Sequence, residues 1–343
     1  MLVTGVIAAR YSEQLNTSFV ARGNAPSGSS FLQPLPTATP TPQLAKEYVY
    51  AGGRMLATEQ PGSAINQNPV DLMVWRIISG SGYWFIQDGQ STATQTQVYG
   101  SAGDTPTPAD FDGDGLYDFC VFRPNYPSSG YATWIVQPNN ASTYTVTQYG
   151  LTGDTPKPAD FDGDGRADLA VWRSGSSANF YILASSSNMI ITQQIGTTGD
   201  IPVPFDFDGD GKADAAVFRP SNANWVIKKS TDGTTSTQQF GATSGEPVPG
   251  DYDGDGKFDL ATRDSSNSWS VKQSSTGNTV ALTWGVSGDI AVQGDYDSDG
   301  KTDIAVWRPS TGYWYIWQSS NSVMRSEPWG AAGDTPIPAP FKR

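Results

Sequence analysis

The chain of 343 residues contains no histidine. That removes the usual general base, the Ser-His-Asp and Cys-His nucleophile arrangements, and most zinc sites. Its single cysteine, Cys120, leaves no internal disulfide. Within Asp118-Phe119-Cys120-Val121-Phe122 it reads as a small core residue of a strand rather than a nucleophile. No apolar run reaches the roughly 18 residues of a transmembrane helix. Charged residues are scarce at 16%, and the net charge of −13 speaks against nucleic acid, which needs clustered Lys and Arg to meet phosphates. The Ala, Glu, Lys and Leu of a helical protein are also in short supply. What is abundant is Gly (37), Pro (24), aromatics (12%) and small polar residues, the composition of an all-β protein with many turns. Residues 1–9 are mildly apolar but lack a basic start, so they make a poor signal peptide. The polar, Lys-poor, Thr-rich surface nevertheless reads as extracellular, with an export leader lying outside this sequence.

Self-similarity decides the architecture. The pattern Asp-aromatic-Asp-x-Asp-Gly-x-x-Asp, nearly invariant, starts at Asp110, Asp160, Asp206, Asp251 and Asp295, at spacings of 50, 46, 45 and 44 residues. Each copy follows a Gly-acid segment such as GDTPTPAD, GDTPKPAD or GDIPVPFD. Each precedes an alternating strand ending in Arg, an aromatic strand, and a Thr/Gln-rich strand ending in Gly. Four short strands per period cannot bury both faces alone, so the units must stack; radial four-stranded blades are favoured over a linear β-solenoid. Residues 71–100 supply the second, third and fourth strands of a unit whose first strand is missing, and residues 333–341 supply a first strand whose remainder is missing. The C-terminal strand should therefore pair into the first blade and leave no open edge. The expected fold is an all-β, six-bladed β-propeller, with a seventh blade open if residues 44–60 contribute strands.

The acidic loops have the chemistry of an oxygen cage. Alternate carboxylates at positions 1, 3 and 5 converge as the chain curls, and Gly at position 6 permits the sharp turn. The carbonyl of position 7 and the carboxylate of position 9 would complete the shell. That donor set suits Ca²⁺ better than Mg²⁺. An EF-hand is excluded, because position 12 of the first loop is Val121 instead of Glu and the loop leads into a strand. The expected ligands are Asp110, Asp112, Asp114 and Asp118; Asp160, Asp162, Asp164 and Asp168; Asp206, Asp208, Asp210 and Asp214; Asp251, Asp253, Asp255 and Asp259; and Asp295, Asp297, Asp299 and Asp303. These are 20 of the 34 acidic residues, and five Ca²⁺ ions would bring the net charge from −13 to about −3. The hybrid blade reads Ile65-Asn66-Gln67-Asn68-Pro69-Val70-Asp71 at the equivalent place, lacks the early aspartates, and should bind no calcium.

With these motifs, residues 65–341 resemble FG-GAP/VCBS-type repeats, related to the integrin α-subunit propeller. The resemblance implies a calcium-stabilised propeller in an extracellular or cell-surface protein that serves adhesion or ligand binding.

Arg76, Arg123, Arg173, Arg219, Arg263 and Arg308 close the second strands, and Asp104, Asp154, Asp200, Glu246, Asp289 and Asp334 open the first strands. The matching counts favour Arg–carboxylate pairs over an anion-binding ring on the axis. Trp84, Trp134, Tyr181, Trp225, Trp269 and Trp314 recur once per unit and are expected between blades. Tyr83, Tyr313, Tyr315, Trp317, Trp284 and Trp329 are less periodic and, where exposed, could stack on sugars.

Residues 1–43 form an N-terminal tail and Pro/Thr-rich linker. Within 44–64, residues 46–60 resemble a single RHS/YD-type repeat, a short hairpin turning at Gly52-Gly53. Residues 65–343 make the propeller. The leading functional reading is a non-enzymatic extracellular adhesion or ligand-binding module for a protein or glycan at the cell surface, with about five Ca²⁺ sites. A structural subunit of a surface fibre, assembled through residues 1–43 as a homopolymer or larger complex, is the second reading, and a lectin the third.

Overall fold

The structure is a computed structural model; it describes residues 70–337 except 90 and 127–129, and the backbone of residues 47–51 and 54–59. The tail and linker lie outside the described residues. Glu47–Ala51 and Arg54–Glu59 pair antiparallel as a two-stranded sheet by themselves. They add no seventh blade.

All the remaining described strands fall into six four-stranded antiparallel sheets. Blade 1 joins Thr335–Pro336 to Leu72–Ile78, Ser81–Gln87 and Thr94–Ser101. Blades 2 to 6 begin at Thr105, Thr155, Ile201, Glu246 and Ile290 and run through four strands in sequence order. The first-strand segments of five different blades line one cavity, so the first strand is the edge that faces the propeller axis. The burial gradient within a blade agrees. Second strands such as Ala215–Arg219 are buried on both faces because neighbouring blades cover both. Third strands such as Asn224–Lys228 alternate between buried and partly exposed residues, and fourth strands such as Thr235–Gln239 are mostly exposed.

The ring closes as the complementary end fragments require. Thr335 pairs with Trp75 and Pro336 with Val74, and the Ile337 amide donates to the Met73 carbonyl at 2.9 Å. Val70, Leu72 and Val74 pack with Val292, Tyr296, Trp307 and Trp314 of blade 6, so the closing seam is as apolar as the others.

Third-strand indoles hold the blades in register. Trp84, Trp134, Trp225, Trp269 and Trp314 are fully buried, and each Nε1 donates to a backbone carbonyl 15 residues later at 2.7–3.1 Å. In blade 3 this place belongs to Phe180, which stands opposite Trp172 as Trp225 stands opposite Phe218. Tyr181 is one residue out of phase and so lies on the other face, beneath the Arg173 guanidinium at 4.4 Å. Two of the irregular aromatics are seams between blades. Trp284 donates to the Tyr315 carbonyl and Trp329 to the Phe85 carbonyl, both at 3.1 Å. Trp317 packs edge-on against Trp284 at 5.3 Å, and these rings are therefore held within the structure instead of being offered to sugars.

The arginine positions form ion pairs within their own blades. Arg123–Asp104, Arg173–Asp154, Arg219–Asp200 and Arg308–Asp289 are two-pronged at 2.7–2.9 Å, and Arg76–Asp334 repeats the geometry across the closing seam. Blade 5 departs. Its acid is Glu246, 3.6 Å from a buried Arg263 that instead donates to the Asp289 carbonyl and to Asn267 Oδ1. Cys120 is fully buried, and loss of hydration pushes its thiol up to about 12.

Candidate metal centre

Each acidic loop connects the first and second strands of blades 2 to 6. Its aromatic at position 2 anchors it to the core: Phe111 and Phe207 sit edge-on to Trp134 and Trp225, and the buried Tyr296 packs edge-on to Trp314. The alternation Asp-aromatic-Asp therefore puts the ring inward and the flanking carboxylates together outside. Gly163 and Gly165 have φ of +81° and +85°, the left-handed conformation that lets the loop curl on itself.

The carboxylates divide into distinct roles. At position 1, one oxygen of Asp110, Asp160 or Asp251 accepts from the position 4 glycine amide and the other from the position 6 glycine amide, at 2.6–2.9 Å. At position 3, Oδ2 of Asp162, Asp208, Asp253 and Asp297 accepts a hydroxyl from Ser186, Thr231, Ser275 and Ser320 at 2.6–2.7 Å. The other oxygen, Oδ1, of Asp208, Asp253 and Asp297 is buried with no hydrogen-bond partner. At position 5, Asp210, Asp255 and Asp299 receive a second hydroxyl from Ser230, Ser274 and Ser319. In blade 2 the single side chain of Asn140 reaches both Asp112 and Asp114.

Position 9 is a clamp. Asp118, Asp168, Asp214, Asp259 and Asp303 are fully buried. One oxygen of each accepts from the position 2 amide, the other from the amide that follows the third strand, all at 2.7–3.0 Å. Asp71 makes the second of these bonds, from Gly89, in the blade that has no acidic loop at all. A residue kept where its loop is missing is serving the blade. Both amide bonds favour the charged form, yet burial dominates and raises Asp118 and Asp168 to about 6 and Asp303 to about 7. Burial also raises Asp110, Asp160, Asp251 and Asp295 at position 1.

The structure groups carboxylate oxygens within 4.8 Å of one another in all five loops. The groups are Asp110, Asp112 and Asp118; Asp160, Asp162 and Asp168; and positions 1, 3 and 5 at Asp206–Asp210, Asp251–Asp255 and Asp295–Asp299. Three carboxylates at that separation repel one another, and a divalent cation is the natural compensation. The Asp-rich groups can thus hold metal ions, and a buried carboxylate oxygen without a donor fits that use.

Neighbouring loops are joined. The position 1 carbonyls of Asp110, Asp160, Asp206, Asp251 and Asp295 accept from Ala167, Ala213, Phe258, Thr302 and Val70, the position 8 amides of the next unit, at 2.6–2.8 Å. The side chains of Arg166, Lys212, Lys257 and Lys301 at position 7 lie over the position 4 glycine of the preceding loop.

Residues 110–171, 160–217 and 206–262 match the model of the FG-GAP-like repeat. This chain is a six-bladed β-propeller whose residues 110–262 are FG-GAP-like repeats. No curated protein matches the sequence. Among solved structures, a protein of unknown function from Desulfotomaculum acetoxidans aligns at 14% identity and TM-score 0.46, covering 76% of this chain and 80% of its own. Apo AztD from Citrobacter koseri aligns at 8% and 0.38, covering 80% and 100%. A candidate 6-phosphogluconolactonase from Bacteroides fragilis aligns at 12% and 0.39, covering 82% and 98%. Likenesses of this size carry no functional argument for the FG-GAP propeller.

The hydroxyl donors Ser186, Thr231, Ser275 and Ser320 were not among the residues expected at the site. Their signal is in the sequence: a Ser-Ser or Ser-Thr pair follows the third strand of blades 3 to 6. It is easily read as ordinary turn composition.

Proposed function

We propose that the FG-GAP propeller is a non-enzymatic, calcium-stabilised binding module that presents a rigid ring to a protein or glycan ligand outside the cell. The observation that carries the reading is the buried, donor-free Oδ1 of Asp208, Asp253 and Asp297, each within a group of three loop carboxylates. A cation supplies what no protein donor does there. Of the expected ligands, position 3 suits this role best, because both oxygens of positions 1 and 9 are already engaged by backbone amides. The lack of histidine and the commitment of the conspicuous carboxylates to loops support binding over catalysis. Calorimetric titration of metal-free protein with CaCl₂ should give about five sites; absence of calcium uptake would overturn the reading.

Carbohydrate binding is a second reading, favoured by an open groove of about 660 Å³ between blades 1 and 2. Gln95 and Gln97 offer amides there and Tyr144 an exposed ring, the combination that grips sugar hydroxyls and ring faces. A glycan array with and without calcium separates it from a protein-binding role. The fibre reading rests on residues 1–43; deleting them and measuring mass by light scattering tests it.

A further inference from the structure

Beside the acidic loops, the described residues frame an open cavity of about 600 Å³ lined by the first-strand segments of blades 2 to 5, by loop residues of blades 2 to 4 and by Gln293 of blade 6. Its walls include Pro158, Pro204 and Pro249, a largely apolar surface with few backbone donors. One position on these strands breaks the pattern. The third residue of the first-strand segment is Thr107, Val203, Val248, Val292 or Ile337 in five blades, all buried, and each amide donates to the second strand. In blade 3 the same register position, with the same bond to the Ala170 carbonyl, carries Lys157, which lines the cavity.

Lys157 makes no ion pair and no side-chain hydrogen bond among the described residues. The carboxylates that reach the cavity are engaged elsewhere: Asp110 and Asp160 accept their own loop glycine amides, as does Asp206. Loss of hydration alone lowers the Lys157 pKa from the ordinary lysine value. Lys157 is only partly exposed, on the cavity side, and an ammonium there without a protein counter-charge can be met by an anion that enters the cavity.

We propose that this axial cavity binds the carboxylate of an organic monoacid, with Lys157 as counter-charge and the proline walls against the apolar body. Of the three cations that line the cavity, Arg166 pairs with Asp164 and Lys212 lies over Gly163 of the preceding loop, which leaves Lys157 for a monoanion. A phosphate dianion would leave charge uncompensated beside Asp110, Asp160 and Asp206. The inference deepens the reading of the propeller as a binding module and rests on it. The acid is either a free small molecule or the C-terminus of a peptide.

The test is calorimetry on the full, calcium-loaded chain with hexanoate, hexanamide, a pentapeptide with a free C-terminus, and the same peptide amidated. At least one acid should bind, neither amide should, and Lys157→Val should weaken binding at least tenfold. Hexanoate binding marks a small-molecule source; binding of the free-acid peptide alone marks a protein tail. Without ligand, Lys157→Val should melt a few degrees higher, since valine stands at the equivalent place in three blades. Lys157→Gln, nearly isosteric, reports the same loss of binding if the valine variant fails to fold. Binding of neither acid, equal binding of acid and amide, or unchanged binding by the variants overturns the proposal. Calcium uptake measured on the same sample stays separate, so a carboxylate failure with calcium bound overturns the axial site alone.

Discussion

Replacing Asp214 by Asn distinguishes a clamp from a ligand. Asp214 Oδ2 accepts from the Phe207 amide at 2.9 Å and Oδ1 from the Ser230 amide at 2.7 Å, and the carboxyl is fully buried. Asparagine keeps the shape but turns one acceptor into a donor, so one of the two amides loses its partner. Hydrogen bonds to a charged acceptor contribute about 1.5–3 kcal/mol each, and the orphaned amide adds its own desolvation cost. A loss of about 2–4 kcal/mol follows. At roughly 2–4 °C per kcal/mol for a domain of this size, the melting temperature should fall by about 4–15 °C. The fall should be similar in calcium and in excess EDTA, because the clamp operates without metal. Asp208→Asn gives the contrast. Its Oδ1 has no donor in the protein, so the variant should match or exceed the wild type in EDTA and lose stability only in calcium. Differential scanning calorimetry of both variants in both buffers decides the matter. If the Asp214→Asn deficit vanishes on chelation, position 9 acts through the metal and the clamp assignment is wrong.

Chelation should lower the melting temperature of the wild-type chain, since a native-state ligand at a hundredfold excess over Kd adds about 2.7 kcal/mol per site; scans at several calcium concentrations check it. Arg76→Ala removes the partner of a fully buried Asp334 carboxylate at the closing seam and should cost about 1–3 kcal/mol, Arg76 being one-third exposed. Hydrogen exchange should then speed up in residues 72–78 before it does in blades 3 to 5. Gly165→Ala should cost about 1 kcal/mol from backbone strain alone, whereas Gly163→Ala should cost more, because its Cβ would meet the Lys212 side chain at 2.7 Å. In a Lys212→Ala background the two should become equal, a coupling that urea denaturation can read.

The repeat was legible in the one-dimensional chain because a blade is a local unit. Its strands, turns and acidic loop recur about every 45 residues, and a unit that cannot bury itself must stack. Ring closure was legible for the same reason: GDTPIPAPF at one end lacks what Asp71–Arg76 at the other supplies. The clustering of aspartates followed from their alternation within nine residues. What the tertiary structure decided were contacts between segments that spacing does not relate. Asp303 meets the Ser319 amide 16 residues away, and Trp329 meets the Phe85 carbonyl across 244. Whether a repeated aspartate holds a cation or a backbone amide depends on which hairpin folds over it. Tyr181 and Phe180 are adjacent aromatics, and only strand pairing determines which enters the core. Lys157 reads as one variable letter in GDTPKPAD; it becomes an unpaired charge beside a cavity only when five blades bring their first-strand segments to the same axis.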